Sequence, residues 1–162
     1  MDCLCEGIAD TGVNMAICQG DSLQLNGSGG VSYEWTPSAT LTDPTIADPL
    51  AFPSEMTTYT LTVTDENGCT DTAEITIDVN DSVLSSAVEV SPDFCEDGSG
   101  EASVSITQGN GPFTITWQTS SGEEQGSAIM DDLGNYLITD LNGGTTYCIQ
   151  VTDANGCVVL NP

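Results

Sequence analysis

The chain has 162 residues, with 25 Asp and Glu and no Lys, Arg or His. No side-chain ion pair can form within it, and nothing on it neutralises a phosphate backbone or an anionic bilayer, so nucleic acid and membrane surfaces are excluded as partners. The usual general bases and anion-stabilising cations are missing too, which argues against an enzyme, and no stretch is long and apolar enough to insert in a membrane as a helix. Residues 1–14 read as an N-terminal arm bearing Cys3 and Cys5. Val13, Met15 and Ile17 alternate as a first strand, and Leu23 and Leu25 lie in a second. Val31, Tyr33 and Trp35 predict a third. Residues 36–56 hold Pro37, Pro44, Pro49 and Pro53 and are expected to be irregular or edge-like. A hairpin follows, whose returning strand turns Ile75, Ile77 and Val79 inward. Residues 80–86 read as a linker. The second half repeats the plan with Val88 and Val90, then Ala102, Val104 and Ile106, then Phe113, Ile115 and Trp117. Residues 119–134 are polar and predicted to be loose. Tyr136 to Leu141 form a strand before a final hairpin whose last strand is only about four residues, leaving an unpaired edge.

The strongest pattern is internal. Residues 57–69 read TTYTLTVTDENGC and residues 145–157 read TTYCIQVTDANGC, nine of thirteen positions being identical at an offset of 88. In both, Tyr, an aliphatic residue and Val alternate as a half-buried strand, and Asp-x-Asn-Gly makes a tight turn with Asn and Gly able to take positive φ. Two copies of a closing hairpin mean two domains, here 15–80 and 81–162 after the arm at 1–14. About seven short strands each, a Trp on a central strand and a Tyr opening the penultimate one predict an all-β chain of two tandem immunoglobulin-like sandwiches with tyrosine corners.

Seven cysteines in so short a chain suggest an oxidising, extracellular setting. Cys18 and Cys69 bracket the first domain, Cys95 and Cys157 the second. Bridges closing such loops would each add roughly 4 kcal/mol if chain entropy alone counted. Cys3, Cys5 and Cys148 are left over, and are expected to include a free thiol or an intersubunit pair. Zinc is disfavoured by the absence of His and of any Cys-x-x-Cys pair. Met1 is followed by Asp2 rather than by a basic and apolar run, which reads as a mature chain or a piece of a longer exported one.

Residues 17–79 resemble the PKD-like repeats of large bacterial surface proteins. The matching residues run from Cys18-Gln-Gly-Asp-Ser-Leu through Gly-Gly-Val-Ser-Tyr-Glu-Trp35-Thr-Pro, Asp48-Pro and Thr-Thr-Tyr59 to Val-Thr-Asp65-Glu-Asn-Gly-Cys69. Residues 88–158 are similar to the SprB-type repeat of gliding-motility adhesins of the Bacteroidota type, through Cys95, Gly111-Pro-Phe-Thr-Ile-Thr-Trp117 and Val-Thr-Asp153-Ala-Asn-Gly-Cys157. The resemblance implies PKD-like sandwiches used as stalks, adhesive modules or filaments at the cell surface, commonly exported by the type IX route. Cys148 and the Cys3/Cys5 arm depart from it, and no C-terminal sorting domain is visible.

The candidate sites are few. Tyr33 with Trp35, and Phe113 with Trp117, could stack on a sugar, but core filling explains them better because Val31 and Ile115 share their faces. Asp65, Asn67 and Asp71 offer oxygens to calcium, as do Asp93, Glu96, Asp97 and Glu101. Neither set follows the EF-hand spacing, and no cofactor is expected otherwise. Asp131 and Asp132 could act as a glycosidase pair, but solvated loop charge accounts for them. The expected partners are other copies or neighbouring repeats, with a glycan or surface ligand as the alternative. Self-repulsion of the carboxylates predicts that salt, divalent cations or mild acid favour assembly. The arm of one subunit is expected to dock on the second domain of the next, with Cys3 or Cys5 near Cys148.

Overall fold

A computed structural model describes residues 8–91, 100–119, 121, 124–142 and 145–161. The chain is all-β among these residues and divides into two compact units, Met1–Asn80 and Asp81–Pro162.

The first unit contains β1 (Met15–Cys18), β2 (Leu23–Gln24), β3 (Ser32–Thr36), β4 (Leu50–Ala51), β5 (Thr57–Thr64) and β6 (Thr70–Asn80). One sheet has the order β1-β6-β5-β3 and a small one pairs β2 with β4. β5 shows why the sequence folds this way. Its period-2 alternation puts Tyr59, Leu61 and Val63 inside, where they pack with Trp35, Ile75 and Ile77. Burial of each such side chain stabilises the unit by about 1.5–3 kcal/mol. Thr58, Thr60, Thr62 and Thr64 face the other way, and Thr58 shares a cross-strand hydrogen bond of 2.9 Å with Thr76. β6 pairs antiparallel with β5 along its length, while its far end, Ile77–Asn80, pairs parallel with β1.

Several expectations change here. Val13 and Val31 lie outside the strands and are exposed, because β1 starts at Met15 and β3 at Ser32. The proline-rich stretch is not simply loose. Its Leu41 and Ala51 enter the core, and β4 pairs with β2. Residues 8–14 are not a free arm. Asp71 accepts hydrogen bonds from the Ile8 and Ala9 amides at 2.6 and 2.8 Å. Thr11 donates to the Glu74 carbonyl at 2.9 Å, and the Asn14 side chain accepts from the Thr76 amide at 2.9 Å. The segment therefore runs beside β6 and leads into β1. Residues 8–14 close against their own unit, while the docking on a neighbouring subunit was expected to run through Cys3 or Cys5. Cys3 and Cys5 lie outside the described residues.

The second unit contains β7 (Leu84–Ser91), β8 (Gly100–Gln108), β9 (Phe113–Thr119), β10 (Glu124–Met130), β11 (Gly134–Leu141), β12 (Tyr147–Thr152) and β13 (Val158–Asn161). Its sheets have the orders β10-β9-β12-β13 and β11-β8-β7. Val104, Ile106, Phe113, Ile115, Ile138, Ile149 and Val151 fill the space between them. The linker is shorter than expected, since Val83 is buried in this core and β7 begins at Leu84. The polar segment expected to be loose carries β10, paired along β9. Its polarity marks an edge strand rather than a loop: β9 partners it on one side only.

Candidate functional site

The repeated hairpins are the natural place to look, because both units spend their strongest sequence signal there. In the first, Asp65 accepts from the amides of Asn67 and Cys69, both at 2.8 Å. These bonds, that from Cys69 foremost, hold its carboxyl below the ordinary aspartate range. In the second, Asp153 repeats the pattern with Asn155 at 3.0 Å and Cys157 at 2.9 Å. Of the two turn residues expected at positive φ, only the glycines, Gly68 and Gly156, take it. The second turn does one thing more. The other Asp153 oxygen accepts from the Asn110 amide at 3.2 Å, and the Ala154 amide donates to the Asn110 carbonyl at 2.9 Å. Asp153 is thus a buried clamp joining the hairpin to the Gly109–Pro112 turn. Sequence reasoning missed it, because the contact partner is 43 residues away.

Two of the calcium candidates, Asp65 and Asp71, hold backbone amides. Asp65 is occupied by its own turn. Asp71 is held low by the amide of Ala9 first, then by Thr72 and Ile8. Asp93, Glu96 and Asp97 lie outside the described residues, and among the described residues no group of three or more Cys, Asp or Glu is gathered as a metal centre. Asp131 and Asp132 are exposed on the turn between β10 and β11.

The aromatic pairs also separate. Trp35 is fully buried, and its indole N–H donates to the Ile46 carbonyl at 3.1 Å. Tyr59 is fully buried and shares a 2.6 Å hydrogen bond with Thr40 Oγ1. Phe113 is core. Trp117 is only half-buried. Its ring lies across Gly126 of β10, where a Cβ would meet it at 2.4 Å. Tyr136 stands 6.4 Å away, centroid to centroid. Tyr147 is half-buried and takes a hydrogen bond from the Asn142 amide at 3.0 Å. That is the tyrosine-corner geometry, and it is found here in the second unit, whereas Tyr59 uses a side chain instead. Trp117, Tyr136, Tyr147 and residues of β11 line an open pocket of about 250 Å³. A shallower depression of about 340 Å³ follows β3 past Tyr33 and Pro44.

The cysteines require a correction. Cys18, Cys69 and Cys157 are each disulfide-bonded. Cys18 pairs in register with Asn80, at one end of β6, while Cys69 immediately precedes the other end. At about 3.3 Å per residue the two stand roughly 35 Å apart. A disulfide needs Cα atoms within about 7 Å, so they are not bonded to each other. Bracketing a domain in sequence did not mean adjacency in space, because an eleven-residue strand separates them. Cys95, the expected partner of Cys157, lies outside the described residues. Cys148 is a free, half-buried thiol on β12.

No family model matches the chain, and no curated protein matches it. Solved structures do. The chain is similar to the N-terminal eight Ig domains of Down Syndrome Cell Adhesion Molecule, at 16% identity and a TM-score of 0.54, over 96% of this chain and 24% of that one. Murine CEACAM1b matches at 13% identity and a TM-score of 0.43, over 91% and 92% of the two chains. The chain spans about a quarter of the first structure's length. At these identities the likeness concerns architecture: the chain is all-β, built of tandem immunoglobulin-like sandwiches.

Proposed function

We propose that the protein is a structural repeat unit of an extracellular surface filament or adhesin stalk and has no catalytic role. The observation that carries this reading is the internal duplication itself: two immunoglobulin-like sandwiches in tandem, in a chain with bonded cysteines and no His, Lys or Arg. Disulfides favour an oxidising exterior. Tandem sandwiches suit spacing and load-bearing, and the PKD-like and SprB-type motifs favour a bacterial cell surface. Other copies or neighbouring repeats are the proposed partners. Negative-stain microscopy and light scattering of the purified chain across ionic strength test it. Regular fibres or concentration-dependent oligomers, strengthened by salt, support the reading. A monomer under all conditions sinks it.

A second reading is an adhesive module with its own glycan site. The half-buried rings of Trp117, Tyr136 and Tyr147 around one open pocket favour it. A glycan array settles the choice: saturable binding lost in Trp117→Ala supports the module, and a blank array counts against it.

A further inference from the structure

We infer that the outer face of the β10-β9-β12-β13 sheet is a weak homophilic contact, taken up by the same face of a second copy of this chain; this deepens the assembly role proposed above and rests on it. Strand pairing fixes what that face presents. Phe113, Ile115, Ile149 and Val151 point into the core, so the alternate residues of β9 and β12 point out. One cross-strand row is Ile129, Thr114, Thr152 and Val158. The next is Ser127, Thr116, Gln150 and Leu160. Neither row holds a charge, and Ile129, Val158 and Leu160 are 71%, 53% and 66% exposed. The carboxylates nearby in sequence stand apart from the rows. Asp153 is buried, Asp131 and Asp132 lie on the turn after β10, and Glu124 pairs with Gln118 at its start. The corresponding sheet of the first unit is different. Its outer face sets Glu34 beside Thr62 and Glu74 beside Thr60, with Asp78 further along β6, and all three carboxylates are exposed.

Charge selects the occupant. The chain has 25 acids and no base, so two copies repel wherever carboxylates oppose each other. They close most readily on a face that carries none. There the threonine and serine hydroxyls and the Gln150 amide both donate and accept, which makes the face complementary to itself. Ile129, Val158 and Leu160 add apolar burial. A cationic partner would be drawn instead to Glu34, Glu74 and Asp78. A sugar finds no ring to stack on, because Phe113 and Trp117 turn inward. Four strands about 4.8 Å apart, over about five residues, make roughly 300 Å² of face. A stable dimer takes about 800 Å² per partner, so each contact is weak and repetition along an array multiplies it.

Sedimentation equilibrium of the full chain, from dilute solution to the highest soluble concentration and across ionic strength, tests the inference. Ile129→Glu puts a carboxylate on the face. Thr72→Glu puts the same charge on the outer face of the first unit, where Thr72 is exposed. The expected result is self-association that Ile129→Glu weakens at least tenfold and Thr72→Glu less than twofold. Ile129→Thr keeps a branched strand former on β10 and is expected to weaken it at least threefold. Equal weakening by the two Glu variants, or oligomers that the Ile129 variants leave intact, overturns the face while the assembly role stands. A monomer at every concentration and ionic strength overturns both. Hexalysine or a chitin hexamer that shields Ile129 from hydroxyl-radical labelling in a monomeric chain assigns the face to another partner and overturns it as well.

Discussion

Two thirteen-residue stretches, identical at nine positions, end up in different surroundings. Tyr59 is sealed in the first unit, and Tyr147 is half-open in the second. The local structure is the same, down to the aspartate that caps each turn. The difference lies in what the flanking chain supplies. The first hairpin receives an eleven-residue β6, with β1 and the Ile8–Asn14 segment lying beside it. The second receives a four-residue β13 and, in exchange, an aspartate clamp to a distant turn. A repeated sequence thus specifies a repeated hairpin, while burial depends on neighbours that the repeat does not encode.

The comparison can be broken in several ways. The most decisive concerns connectivity and is all-or-none. A non-reducing peptide map should contain no Cys18–Cys69 linkage, since β6 separates the two. Finding it would mean the register of β1 on β6 is wrong. Next in size are the tyrosines. Tyr59→Ala removes a fully buried ring and is expected to cost about 3–5 kcal/mol. Tyr147→Ala, starting half-exposed, should cost roughly half of that. Hydrogen exchange of β5 and β12 peptides in the full chain measures both, and equal losses would erase the distinction between the units.

The turn aspartates should reverse the order. Asp153→Ala leaves three amide donors without an acceptor in a buried setting, an expected loss of about 2–3 kcal/mol. Asp65→Ala strips an exposed turn and should cost less. Faster exchange at the Asn110 amide in Asp153→Ala, with the Gly109–Pro112 turn otherwise intact in Asp65→Ala, is the signature to look for.

Gly29 tests the Ile8–Asn14 segment. Its φ is +111° and an added Cβ would sit 1.7 Å from the Ile8 carbonyl oxygen. Gly29→Ala should expel residues 8 and 9 from Asp71, read as lost protection of those two amides, with the β5–β6 core retained.

The smallest effect is a pH dependence confined to the same contact. The Asp71 carboxyl is held below its ordinary value of 3.8 by amides that only the folded unit presents. Its contribution is complete above that value and is lost as pH falls through the lower, folded value. Protection of Ile8 and Ala9 should fade in that window and be flat from pH 5 to 8. Asp71→Asn should abolish the dependence. Mild acid, expected to ease carboxylate repulsion, must therefore stop above this window if the first unit is to stay closed.

Much was legible in the chain itself. Alternation at Tyr59-Leu61-Val63 and at Tyr147-Ile149-Val151 identified strands, because a two-residue period has one physical reading when a single face is buried. Asp-x-Asn-Gly identified the turns, because an Asp side chain caps the amides two and four residues on wherever it occurs. Missing cations were legible without any structure. What only the tertiary structure decided were relations between residues far apart in sequence. Cys18 and Cys69 looked paired until strand direction separated them. Asp71 accepts from the amides of Ile8 and Ala9, 63 and 62 residues away in the chain. Residues 124–130 looked loose until β9 offered them a ladder. Backbone periodicity is a local property of a few residues, whereas pairing and burial depend on which distant strand lies alongside, and no short stretch carries that information.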